Sequence, residues 1–272
     1  YDLARAHALY NAIVAPAVPM LDGVNHIFIV PDRALQSLPF NVLVTEPPPA
    51  AEGLAAYRAT SWLARRYAMS TLPSASALRA LRELARPTRA ADPFVGFGDP
   101  DLKGPLGGTR SINASQLFLR SGQANVRALR ELSPLPETAD ELRALARTLG
   151  APDTAVYLRD RATVRQVRGA TLSSYRVIAF ATHGLTAGEL TGVMEPGLIM
   201  TPLNQASAED DGILSASEIA ALRLDADWVI LSACNTAAAD GAPGAEALSG
   251  LARAFFYAGS RALLVSHWAV AS

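Results

Sequence analysis

Two short runs in this chain, Val177-Ile178-Ala179-Phe180 and Trp228-Val229-Ile230-Leu231, are apolar at every position. A strand with one wet face alternates apolar and polar residues, so a run without alternation needs cover on both faces. That condition is met by the central strands of a parallel sheet flanked by helices. The surrounding pattern agrees. From Asp92 onward strand-like and helix-like segments alternate: strands at 94–97 and 155–158, helices at 136–149 and 162–172, the two apolar strands, a helix at 215–223, and a last helix at 245–258 leading to a strand at 262–266. Alternation of this kind predicts an α/β fold with a mostly parallel central sheet and crossover helices. Half of the 272 residues are hydrophobic, enough to bury a core in one large domain or two small ones.

The first ninety residues read differently. Residues 2–14 have helical apolar spacing, His26–Val30 is a β-rich run closed by Pro31-Asp32, and Asn41–Val44 is a second strand candidate. Helical patterns follow near 52–67 and 74–86, ending at Pro87. The expected organisation is therefore a smaller N-terminal region, 1–90, and a larger region, 91–272. Residues 104–125, rich in Gly, Ser and Asn, read as a mobile loop. Tyr1 is no start methionine and the last apolar stretch halts at Ser272, so further sequence is expected on both sides, with the larger region truncated at its C-terminus.

Charge excludes some partners. With 24 basic and 25 acidic residues there is no global field to gather nucleic acid or an anionic membrane. No apolar run approaches the roughly 20 residues of a membrane span, and no signal-peptide layout opens the chain. The single cysteine has no disulfide partner within the chain and leaves no thiolate metal site, which points to a reducing, cytoplasmic setting with no metal and no cofactor. Gly96-Phe97-Gly98 follows a strand, but Asp101 stands where a dinucleotide fingerprint needs its third glycine, and no serine-hydrolase elbow is present.

Chemistry in an open parallel sheet belongs at the carboxyl ends of the strands, where loops converge on a rigid frame. Phe180 is followed by Ala181-Thr182-His183-Gly184, and Leu231 by Ser232-Ala233-Cys234-Asn235-Thr236. A histidine and the only cysteine thus sit at equivalent ends of neighbouring strands, with the histidine about fifty residues upstream, a spacing that fits a caspase-type dyad. A thiol of ordinary pKa near 8.5 is mostly protonated at neutral pH, and a neighbouring imidazole shifts it toward the nucleophilic thiolate. The backbone amides of Gly184 and Cys234 are placed to hold an oxyanion. Free cysteines usually just pack, and spacing alone does not separate a packed Cys234 from a catalytic one; the joint placement favours chemistry.

The segments Phe180-Ala-Thr-His-Gly184, Leu231-Ser-Ala-Cys-Asn-Thr236 and Gly250-Leu-Ala-Arg-Ala-Phe-Phe-Tyr-Ala-Gly259, the last leading to Ser266-His267-Trp268, resemble the CHAT peptidases, relatives of caspases and separase often fused to TPR repeats. Val30–Leu35 with Leu38-Pro39-Phe40, Gly98-Asp99-Pro100 and Leu135-Pro136-Glu137-Thr138 add to the likeness. The resemblance spans nearly the whole chain. It implies a caspase-like three-layer fold preceded by a smaller, degenerate protease-like region. It also implies a bacterial cysteine endopeptidase with His183 and Cys234 as catalytic pair, Gly184 and Cys234 forming the oxyanion hole, and a thioester intermediate. Ser232, two residues before the nucleophile, together with His267 and Trp268, is implied to contact substrate. His267 is a rival base, assigned here to the pocket wall because base candidates are settled by geometry.

Ser232 is small and neutral, so no charged preference at P1, the substrate residue before the scissile bond, follows from it. The acidic run Glu209-Asp210-Asp211 before Gly212 reads as a solvated turn rather than a lure for a basic substrate, and His7 and His26 as structural. The expected partners are a protein or peptide substrate and a TPR module or activating partner. The competing hypothesis is a catalytically silent scaffold or adaptor that binds a protein partner.

Overall fold

The computed structural model describes residues 1–32, 35, 38–72, 74–84, 87–105, 125–185, 196–203, 210–234 and 245–265. The chain divides into two compact units, Tyr1–Arg86 and Pro87–Ser272.

In the first unit, helix α1 (Leu3–Ile13) begins at Asp2, whose side chain accepts the Arg5 amide and so satisfies a donor the helix cannot. Strand β1 (His26–Ile29), helix α2 (Gly53–Ala59), strand β2 (Ala68–Thr71) and helix α3 (Ala75–Leu84) follow, with β1 and β2 paired in parallel. Tyr10, Leu43, Leu63 and Tyr67 form the core. Two expectations fail here. Asn41–Val44 is not a strand: Phe40–Val42 is a 3-10 turn and Val44 makes one isolated bridge, to Trp62. Leu43 and Val44 are fully buried, so the apolar run reports burial rather than extension. The helix predicted over 52–67 stops at Ala59, because residues 61–63 pair with that same segment. The Thr45 amide donates to the Ser61 carbonyl and the Leu63 amide to the Leu43 carbonyl.

The second unit is a three-layer α/β structure with a mostly parallel central sheet, as the sequence predicts. Its elements in order are β3 (Asp92–Pro100), α4 (Val126–Arg130), α5 (Glu137–Leu149), β4 (Val156–Arg159), α6 (Val164–Gly169), β5 (Tyr175–Leu185), β6 (Gly197–Ile199), β7 (Ile213–Ser215), α7 (Ala216–Ala220), β8 (Trp228–Cys234), α8 (Ala245–Ala258) and β9 (Ala262–Val265). Strands β4-β3-β5-β8-β9 lie side by side, all parallel. At the carboxyl end of β5 the sheet changes character: Gly184 and Leu185 pair antiparallel with β6, and β6 with β7.

The two apolar runs become the cores of β5 and β8, covered on both sides except at Trp228, which is exposed where β8 begins. On one face Phe94, Ala179 and Ala181 meet Leu142 and Ala146 of α5. On the other, Val95, Phe97, Ile178, Phe180, Val229 and Leu231 meet Val164 and Val167 of α6, Ile219 of α7, and Leu251 and Phe255 of α8. Each such side chain taken from water contributes about 1.5–3 kcal/mol. A row of rings crosses three strands on this second face: Tyr157 against Phe97 at 5.0 Å, Phe97 against Phe180 at 5.5 Å, and Phe180 against Phe255 at 5.6 Å. A one-residue slip would send every inward side chain to the opposite face, so this packing fixes the register.

Candidate active site

The register places the two chemical residues side by side. Along β5 and β8, Val177 pairs with Trp228, Phe180 with Leu231 and His183 with Cys234. Neighbouring strands stand about 4.8 Å apart, so the backbones of His183 and Cys234 are separated by one strand spacing. Strand alternation puts position 183 on the face of Ala179 and Ala181, toward α5, and position 234 falls on that same face together with Ser232 and Ile230.

His183 is 7% exposed. Its Nε2 lies 2.7 Å from the carbonyl oxygen of Ser133, in the segment between α4 and α5. A carbonyl only accepts, so Nε2 carries the proton and the neutral ring presents a lone pair on Nδ1. That Nδ1 is buried and has no hydrogen-bond partner among the described residues. Burial lowers the pKa of His183 below the usual histidine value, with the Ser133 carbonyl and the negative charge of Glu137 acting the other way. The result is an imidazole whose basic nitrogen is oriented by a backbone carbonyl on its far side.

The Ser133 segment is itself held. Thr138, buried in the first turn of α5, donates through Oγ1 to the Leu135 carbonyl at 2.7 Å and accepts the amide of Asp99 at 3.0 Å. One hydroxyl thus ties the end of β3 to the loop that carries Ser133. Helix α5 starts behind Pro136, with Glu137 and Asp140 complementing the positive end of the helix dipole. It lies close to the sheet because Gly96 and Gly98 face it. A Cβ on Gly98 would come within 2.7 Å of Leu142 Cδ1 and 2.6 Å of the Ala181 carbonyl oxygen. These glycines serve helix packing, which gives Gly96-Phe97-Gly98 a physical reason unrelated to phosphates.

Beside this site, Asp99 is buried at the end of β3 in the left-handed region, φ 42°. Arg159 Nη1 lies 3.3 Å from Asp99 Oδ1 and Arg159 Nη2 2.5 Å from Asp101 Oδ1. Burial raises the pKa of Asp99, and the Arg159 guanidinium opposes that rise.

Of the residues the sequence singled out, Gly184 follows His183 on β5 and pairs with Leu198. Ser232 is half-buried, and its hydroxyl donates to Glu141 Oε2 of α5 at 2.9 Å. The sequence reading did not single out Ser133 or Glu141. Asn235, Thr236, His267 and Trp268 lie outside the described residues, as do Glu209 and most of the 104–125 loop. The acidic turn needs correction: Asp210 is 1% exposed and accepts the Arg165 amide in the first turn of α6, so it satisfies a helix end rather than facing solvent. His7 contacts the Val44 carbonyl and His26 the Ser70 hydroxyl, within the first unit. Among the described residues no three His, Cys, Asp or Glu side chains converge as metal ligands, and no helix is long and apolar enough to cross a membrane.

In a comparison with protein families, the model of the CHAT domain matches residues 3–272. No curated protein matches the chain.

Proposed function

Given that the chain belongs to the CHAT domain family, which is related to caspase-like cysteine peptidases, we propose that it is a cysteine endopeptidase acting through Cys234 and His183. The observation that carries the reading is the pairing of His183 with Cys234 across adjacent parallel strands, with the Nδ1 lone pair of His183 left available by the Ser133 bond.

In this reading the Cys234 thiol passes its proton to Nδ1, and the thiolate attacks the scissile carbonyl carbon. The oxygen, now negative, takes hydrogen bonds from the backbone amides of Gly184 and Cys234, each worth about 3 kcal/mol in the transition state. Collapse breaks the C–N bond, and the imidazolium returns the proton to the leaving amine. A thioester remains. Water then adds with His183 as base, releasing the acid and restoring the thiol. As the imidazole becomes positive, Glu137 and the Ser133 carbonyl favour its charge. Ser232, His267 and Trp268 are the proposed substrate contacts, and a TPR module or partner protein the proposed control.

The test is cleavage of a diverse peptide library by the protein and by Cys234→Ala, with and without candidate partners. Cleavage that disappears in Cys234→Ala supports the reading. Absence of cleavage under every condition, with a Cys234 that resists alkylation until unfolding, would replace it with a binding scaffold. Activity of the isolated chain equal to that with partner would remove the control.

A further inference from the structure

Glu141 stands out as a carboxylate without a cation. It is half-buried on α5, and one oxygen, Oε2, accepts the Ser232 hydroxyl at 2.9 Å. Among the described residues no Lys, Arg or His lies within ion-pair distance of it. One turn earlier on the same helix, Glu137 adds negative charge, whereas Asp140 is paired with Arg143. A hydroxyl donor satisfies one lone pair of four and leaves the charge uncompensated. Water reaches such a group only in part, so a cation brought to it gains more than it would at an open surface.

Its position matters as much as its charge. Ser232 precedes Cys234 by two residues on β8 and occupies the same face of the sheet as Cys234 and His183. Two residues of strand span about 6.6 Å, so the Ser232–Glu141 pair lies that far below the nucleophile's place on the strand. A long, flexible side chain ending in a cation spans such a depth; a short one does not. We infer that Glu141 is a specificity-determining residue whose carboxylate, braced by Ser232, receives the cationic head of an arginine or lysine at P1. This inference rests on the peptidase reading, and it departs from what Ser232 alone implies, because the charge comes from a helix distant in sequence.

Two measurements on the full chain separate the inference from the reading beneath it. In the first, kcat/KM is compared for peptides differing only at P1, arginine against glutamine, with the protein, Glu141→Gln and Glu141→Arg. In the second, binding of the same two peptides to Cys234→Ala is followed by calorimetry, with and without Glu141→Gln. The expected result is a preference for arginine of about 30-fold or more in the Glu141 background, since stranding a half-buried charge costs heavily. It should fall toward parity in Glu141→Gln and reverse in favour of the glutamine peptide in Glu141→Arg. Unfolding midpoints of the variants report whether they fold. Cleavage without a basic preference overturns the inference and leaves the peptidase standing. Tighter binding of the arginine peptide that depends on Glu141, with no cleavage, upholds the cation site and removes the peptidase. Equal binding and no cleavage overturns both.

Discussion

At the scale of single residues, His183 is positioned by groups outside the strand that carries it. Thr138 is the clearest. Its hydroxyl serves two backbone groups at once, the Asp99 amide and the Leu135 carbonyl. Thr138→Val keeps the shape and removes both bonds; the Leu135 carbonyl still accepts the backbone amide of residue 138, but the buried Asp99 amide loses its partner at a cost of about 1–3 kcal/mol. Ser133 lies two residues before Leu135, so its carbonyl should also lose its fixed distance to His183 Nε2. The expected outcome is a lower denaturant midpoint together with a drop of about tenfold in kcat/KM and little change in KM, measured on a peptide the protein cleaves; an unchanged kcat would separate Thr138 from the histidine. The side-by-side placement of His183 and Cys234 was legible in the sequence because the strands that precede them are apolar and their ends recognisable. Ser133 could not be, because it acts through a carbonyl that every residue possesses. Glu141 was hidden for another reason: one carboxylate among many on helix faces acquires meaning only once the fold sets it beside Ser232.

At the scale of elements, the distance between α5 and the sheet governs both His183 and Glu141. Gly98 sets that distance. Gly98→Ala places a methyl within 2.7 Å of Leu142 and 2.6 Å of a backbone oxygen that cannot yield. Such overpacking costs about 1–3 kcal/mol, and the helix should shift outward, carrying Glu137 and Glu141 with it. The expected result is a destabilised protein whose arginine preference at P1 falls along with its thermal midpoint; retention of the full preference would show that α5 has not moved. The long elements here were readable in advance, since β5, β8 and α5 carry continuous apolarity or clear caps. Short ones were not: β6 and β7 have three residues each, too few for a period, and exist because the end of β5 offers them an edge. Asp210 was misread for a similar reason. An acidic turn and a helix-capping carboxylate look alike until the helix end it satisfies is in place.

At the scale of the whole molecule, the buried titratable groups make stability depend on pH in opposing ways. His183 has its pKa lowered by burial, so the folded state binds its proton less readily than the unfolded chain does. Its contribution is therefore complete above the ordinary histidine value, about 6.5, and is lost as pH falls through the lower folded value. Asp99 and Asp211 have theirs raised, by burial first. In the folded state they hold a proton to higher pH than in the unfolded chain, so they favour folding below the ordinary aspartate value and lose that contribution as pH rises through the raised one. The His183 window opens downward from the ordinary histidine value, about 6.5, and the aspartate window upward from the ordinary aspartate value, about 3.9. Unfolding of the Cys234→Ala protein, chosen because the proposed reading leaves it unable to digest itself, should show stability declining below about pH 6.5, and the additional change His183→Gln should flatten that decline while leaving the aspartate region untouched. If the decline survives His183→Gln, the proton is being taken up elsewhere, and His183 is not held as the neutral base that the proposed dyad requires.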